Sequence, residues 1–270
     1  MRGAWLGIAA ALAACHGRSA RGPSSPAAIA PGPPRPEVNG ASGSVAVAQP
    51  PHDSRPEIAA GGPEGTPAFR YGMLDAASCE AELGRRAISH VRVPSARGVL
   101  MPLRLTGALR GVAFHGVTSK ASRATSPYEI MDCRLALALD DLAAIVQKHN
   151  IVEVVHMSAY RPPPTRGWTE GAIGKAHGGA LALDAGTFVR KDGSTLVVER
   201  DFHGRIGAST CNGAPGPNPP TPEAVELRAV LCEIAEAHIF NVTLTPNYNA
   251  PHRNHFHLEV TAGVRWFVVH

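Results

Sequence analysis

The 270-residue chain is 44% hydrophobic and contains 28 Gly and 24 Pro, enough for one sizeable core beside a Pro/Gly-rich segment. Its 26 basic and 22 acidic residues leave a formal charge of only +4. With no dense Lys/Arg block interleaved with aromatics, that balance argues against nucleic acid as a partner.

Residues 1–15 begin with Arg2, continue as an apolar run from Ala4 to Ala14 and end in Leu12-Ala-Ala-Cys15. The run is too short for a permanent membrane span, and its charged start and small-residue end predict an export signal. Leu-Ala-Ala-Cys is similar to the lipobox of bacterial lipoproteins, where cleavage precedes the Cys and the new N-terminus is acylated. Cys15 is therefore expected to anchor the protein to a membrane through lipid, in the cell envelope. His16 in place of an Asp leans toward the outer membrane or the periplasm.

Residues 16–70 are rich in Pro, Ala, Gly and Ser, including Pro31-Gly-Pro-Pro-Arg-Pro36. Without sustained apolar periodicity such a segment cannot bury enough surface to offset its ordering entropy, which predicts a disordered, semi-extended tether. The folded domain is expected over residues 71–270.

Within it, short β-like pieces fall at Val91 to Val93 and Val99 to Leu105. Leu135, Leu139, Leu142 and Val146 recur at helical spacing, so residues 133–149 predict a helix with one buried face. A strand follows over residues 151–157. Lys191-Asp-Gly193 is a turn signal between strands expected at residues 178–188 and 194–199. Thr221-Pro222 caps a second amphipathic helix. This order predicts an α+β fold, an antiparallel sheet with packed helices.

Cys79, Cys133, Cys211 and Cys232 remain after processing. In an exported chain an even number predicts disulfides, and four cysteines allow three connectivities; sequence neighbourhood favours Cys79 with Cys133 and Cys211 with Cys232.

Three stretches carry chemistry. Near the C-terminus, His255 and His257 alternate with Phe256 and Leu258, so on a strand both imidazoles face one side. Metal binding is one reason for such a pair, and a hydrogen-bonded core pair is the other. His177-Gly-Gly-Ala-Leu-Ala-Leu-Asp184 leads a carboxylate into an apolar strand, where it needs a partner. Three His/Asp-type ligands plus water make a catalytic zinc site; Arg161 is the other candidate partner for Asp184. Ser158-Ala-Tyr-Arg161 ends a strand with a guanidinium able to hold a carboxylate or a developing oxyanion.

Together, Ser158-Ala-Tyr-Arg161, the His177 to Asp184 segment and His255-Phe-His257-Leu-Glu259 resemble the bacterial extensin-like C-terminal domain, of the Hedgehog/D-alanyl-D-alanine peptidase superfamily. The resemblance covers the chain from about Tyr71 onward. It implies a Hedgehog/DD-peptidase-like zinc fold in which His177, Asp184 and His257 bind Zn2+ and Arg161 binds substrate carbonyl or oxyanion. It also implies hydrolysis of amide bonds in peptidoglycan peptides. The sequence departs from the pattern at Asn254, where related peptidases often carry an acid. That leaves His255 as the expected proton carrier, with Glu259 on the same face and His252 as a weaker candidate. Lys175 stands where Ser is common and is expected to be exposed. The alternative expectation is a non-catalytic module of the same fold that binds zinc or cell-wall peptide.

Overall fold

A computed structural model describes residues 62–164 and 173–270. The expected export signal, Cys15 and the expected tether up to residue 61 lie outside the described residues. No helix among the described residues is long and apolar enough to cross a membrane.

In chain order the elements are α1 (Pro67–Gly72), α2 (Ala76–Arg85), β1 (His90–Arg92), β2 (Pro102–Leu105), β3 (Ala113–Gly116), α3 (Lys120–Arg123), β4 (Met131–Asp132) and α4 (Cys133–Lys148). There follow β5 (Ile151–His156), β6 (Ala182–Arg190), β7 (Thr195–Val197), α5 (Val198–Asp201), α6 (Pro222–Glu236), β8 (Val242–Leu244), β9 (Phe256–Glu259) and β10 (Val268–Val269).

Helix α4 starts where the Asp132 side chain accepts from the Arg134 amide. Twelve of its sixteen residues are buried, so it is not the one-faced helix that its leucine spacing suggests. The cause is its position: α1 and α2, α6 and β5 all pack against it. Cys133 near its start is bonded to Cys79 in α2, and Cys232 in α6 is bonded to Cys211. Both pairs are those favoured by sequence neighbourhood.

The folded region begins ahead of residue 71, which corrects the tether boundary. Thr66 caps α1 by accepting from the Phe69 amide, Pro67 fits the first helical turn, and Ala68 is fully buried. Tyr71 anchors this helix to α4: its hydroxyl bonds the Asp141 carboxylate and accepts from Arg86 Nη2 at 2.7 Å. Arg86 also reaches Asp141 Oδ1 at 2.9 Å and Asp140 Oδ2 at 3.0 Å, and Arg110 Nη2 reaches Asp140 Oδ2 at 2.9 Å, so two guanidiniums compensate the acidic pair in the middle of this helix.

Two sheets complete the fold. The smaller is antiparallel in the order β1-β2-β4. The larger has seven strands, in the order β10-β8-β9-β6-β5-β3, with β7 also paired to β6. The α+β class holds, but the larger sheet is mixed rather than antiparallel, because β3 pairs parallel to β5 and β10 parallel to β8. Such pairs join segments far apart in sequence and leave no local hairpin signal. Two predicted strands are also shorter than expected: residues 178 and 179 belong to a 3-10 turn ahead of β6, and β7 gives way to α5 at Val198.

Candidate metal centre

The register between β6 and β9 builds the site. Asp184 is directly paired with His257, and residues 255, 257 and 259 share the face expected from strand alternation. Asp184 is completely buried, and His177, His255 and His257 are each less than 9% exposed. A buried carboxylate must be compensated, and Asp184 is, several times over.

His177 Nε2 lies 3.0 Å from Asp184 Oδ1, and His257 Nδ1 lies 3.1 Å from the same oxygen. His255 Nε2 approaches it at 3.3 Å. The other carboxylate oxygen, Oδ2, accepts from Ser158 Oγ at 3.2 Å and is bonded by Arg161 Nη2. Arg161 Nε also donates to Ser158 Oγ at 3.0 Å, while its side chain stays 49% exposed at the rim. Arg161 is thus a partner of Asp184, the second of the two possibilities raised by the sequence.

Each inward-facing imidazole has its far nitrogen held in place. His177 Nδ1–H donates to the Ala159 carbonyl at 2.8 Å. His257 Nε2–H donates to Glu259 Oε2 at 3.1 Å, and His255 Nδ1–H to Asn254 Oδ1 at 2.9 Å. Such outer partners fix ring orientation and leave the opposite nitrogen directed inward, as in metal sites. The Ala159 carbonyl is positioned by the Tyr128 carbonyl, which accepts from the Ala159 amide at 2.9 Å.

The turn carrying His177 depends on close backbone approach. A Cβ on Gly179 would lie 2.5 Å from the Gly174 carbonyl carbon, so only glycine fits there. Arg161 N donates to the His177 carbonyl at 3.0 Å, tying this turn to the segment that carries the guanidinium.

Charge follows from these contacts. Burial raises the Asp184 carboxyl, but the hydrogen bonds from His177 and His257 outweigh it and hold the group well below the usual carboxylate range. Burial lowers His257, yet its bonds to Asp184 and Glu259 prevail and push it up to about 9. His255, with burial dominant, falls to about 4.

The residues fit a metal ion. His177, Asp184 and His257 each offer one ligand atom, all within 4.8 Å of one another, and all three are buried. Their donor set is two imidazole nitrogens and one carboxylate oxygen, each pre-oriented. His255 is not part of that trio; it falls with His252 and His257 in a second group of the same tightness. His252 is half-buried, with its Nδ1 bonded to Asn249 Oδ1 at 2.6 Å and Tyr248 edge-on at 5.3 Å between ring centroids. Lys175 is exposed.

The sequence pattern located the ligand candidates but not their supports. Glu259 emerges as the anchor of His257 rather than as a free proton acceptor, and Asn254 as the anchor of His255. A carboxylate two positions along a strand was a readable signal for the first. The Ala159 carbonyl carried no signal, because any residue provides one.

The family model described as extensin-like protein C-terminus matches residues 78–268, and the chain belongs to that family. No curated protein and no solved structure matches it.

Proposed function

We propose that this extensin-like protein is a zinc-dependent amide hydrolase of the Hedgehog/DD-peptidase type, acting on peptidoglycan peptides from a lipid anchor at Cys15. The observation that carries the reading is the buried convergence of His177, Asp184 and His257 with every distal imidazole nitrogen held by an outer partner. Two nitrogens and one oxygen suit Zn2+, and three protein ligands leave a position for substrate chemistry. The two disulfides support folding in an oxidising compartment such as the envelope.

When bound, the metal would supply Lewis acidity, lowering the pKa of water and polarising the scissile carbonyl. The protein's own groups do the rest. His177 Nε2, Asp184 Oδ1 and His257 Nδ1 would hold the ion, and the Ala159 carbonyl and Glu259 would keep both rings in the tautomer that presents the ligand nitrogen. Arg161, half exposed beside Asp184, would bind the substrate carbonyl oxygen or a terminal carboxylate. His255, with Nδ1–H pinned to Asn254 and Nε2 turned into the site, accepts the proton of the attacking water and returns it to the leaving amine. Asn254 cannot itself take a proton; its part is to hold His255.

A second reading, a non-catalytic module binding zinc or wall peptide, is favoured by Asn254 and by the direct Arg161–Asp184 pair, which satisfies the carboxylate without a metal. The test is twofold. Elemental analysis of the full chain should give one zinc ion, lost in His177→Ala; absence of metal in the parent protein ends both zinc readings. Incubation of the zinc form with muropeptides, followed by mass spectrometry, should show amide cleavage. Binding without cleavage selects the non-catalytic module.

A further inference from the structure

Away from the metal centre, a cavity of about 560 Å3 opens at the seam between the two sheets. Its walls come from β1 and β2 on one side and β3 on the other, with α3 and its flanking residues closing one end. That volume lies within the range of small-ligand sites, roughly 300–1,000 Å3. Val91 and Leu105 give it an accessible apolar surface over the buried Phe114 and Met131, and Arg104, Lys120 and Arg123 add three cations to the same lining.

None of the three cations forms an ion pair within 4 Å among the described residues. Arg104 is half-buried, and its Nη1 donates to two backbone carbonyls, Arg123 at 3.3 Å and Ser126 at 2.5 Å. Those bonds hold the guanidinium in place without neutralising it. Arg123 Nε donates to the Thr118 carbonyl at 3.0 Å, again a neutral partner.

The carboxylate in the lining, Glu129, lies near enough to Arg104 and Arg123 for its charge to act on both, without forming an ion pair with either, which leaves the lining with an excess of positive charge. Its Oε1 accepts from the Gly116 amide at 2.8 Å and its Oε2 lies 3.5 Å from the fully buried His156 Nε2. His115, also in the lining, is bonded through Nε2 to Glu153 at 2.8 Å. A cavity with an apolar wall and three fixed or flexible cations, against one inward-turned carboxylate, is complementary to an anion with an apolar body.

We propose that this seam cavity is a binding site for a small amphiphilic oxyanion, a carboxylate or phosphate head on an apolar chain, with Arg104, Lys120 and Arg123 holding the head. The site uses none of the metal-centre residues, so it stands independently of the hydrolase reading. The anionic head meets the guanidinium forks and the ammonium, and the chain covers Val91 and Leu105.

The test is calorimetric titration of the full chain with octanoate and with octyl phosphate, using octanol as the neutral control. At least one anion is expected to bind saturably at one site per chain, with octanol about tenfold weaker or more; the tighter anion identifies the head group. Lys120→Gln combined with Arg123→Gln should weaken binding about tenfold or more, and His177→Ala should leave it unchanged. Should the double variant fail to fold, Lys120→Glu alone, at an exposed position, gives the same reading. Absence of saturable binding by both anions, equal binding of octanol, or parent-like affinity in the folded charge variants overturns the proposal.

Discussion

Asp184 and His257 stand opposite each other on paired strands, with His257 Nδ1 3.1 Å from Asp184 Oδ1 and His257 Nε2 3.1 Å from Glu259 Oε2. The imidazole is therefore suspended between two carboxylates, one at the centre of the site and one behind it.

That relay makes Glu259 a test of metal binding at one remove. Outer partners of ligating histidines are typically worth 10- to 100-fold in affinity. On the proposed zinc reading, Glu259→Gln is expected to weaken zinc binding by about that factor in a competition titration with a chelating dye, and Asp184→Asn, which would remove a ligand charge, to weaken it further. Parent-like affinity in Glu259→Gln would separate His257 from the metal.

The same charges set how the chelator-treated protein responds to pH. His257 has a folded pKa of about 9, above its unfolded value, so its contribution is complete below pH ~6.5 and is lost as the pH rises toward 9. His255, at about 4 in the folded state, works in reverse: protonation of the unfolded chain lowers stability as the pH falls from ~6.5 toward 4. Asp184, held below its usual range, adds to the acid loss below pH ~4. Stability should peak near pH 6.5, with each histidine limb worth up to about 3 kcal/mol. Urea unfolding across pH would show His257→Gln flattening the alkaline limb and His255→Gln the acid one.

Tyr71 tests how early the folded domain begins. Tyr71→Phe removes the hydroxyl bonded by both Asp141 and Arg86 and leaves those groups short of a partner. A loss of about 1–3 kcal/mol in unfolding free energy is expected. A chain starting after residue 72, which lacks α1 altogether, should lose more; equal stability would return residues 66–72 to the tether.

The disulfides differ in the loops that they close. Cys79–Cys133 spans 54 residues and Cys211–Cys232 spans 21. Chain-entropy scaling assigns them about 4 and about 3 kcal/mol. Thermal melts of the paired Cys→Ser variants should therefore place the loss of the first bridge at or above that of the second, and reduction of both should lower the midpoint most.

Strand alternation alone aligns 255, 257 and 259, whereas the grouping of His177 and Asp184 with His257 is expected from the resemblance to the extensin-like family. The α4 helix and the Lys191-Asp-Gly193 turn were, like that alternation, readable from the sequence: each is set by spacing within a few residues. What spacing cannot supply is pairing between distant segments. Only the β6–β9 register brings Asp184 to His257, 73 residues away, and only the parallel pairs β3–β5 and β8–β10 make the larger sheet mixed. Likewise, α1 lies at the end of a Pro-rich stretch whose composition argues for disorder, and its order comes from burial of Ala68 and the Tyr71 bonds to α4 and Arg86. Local periodicity and residue type thus determined the chemistry on offer. Long-range packing decided which groups meet, since the free energy that fixes those contacts comes from surface and hydrogen bonds shared between segments that no short window of sequence contains.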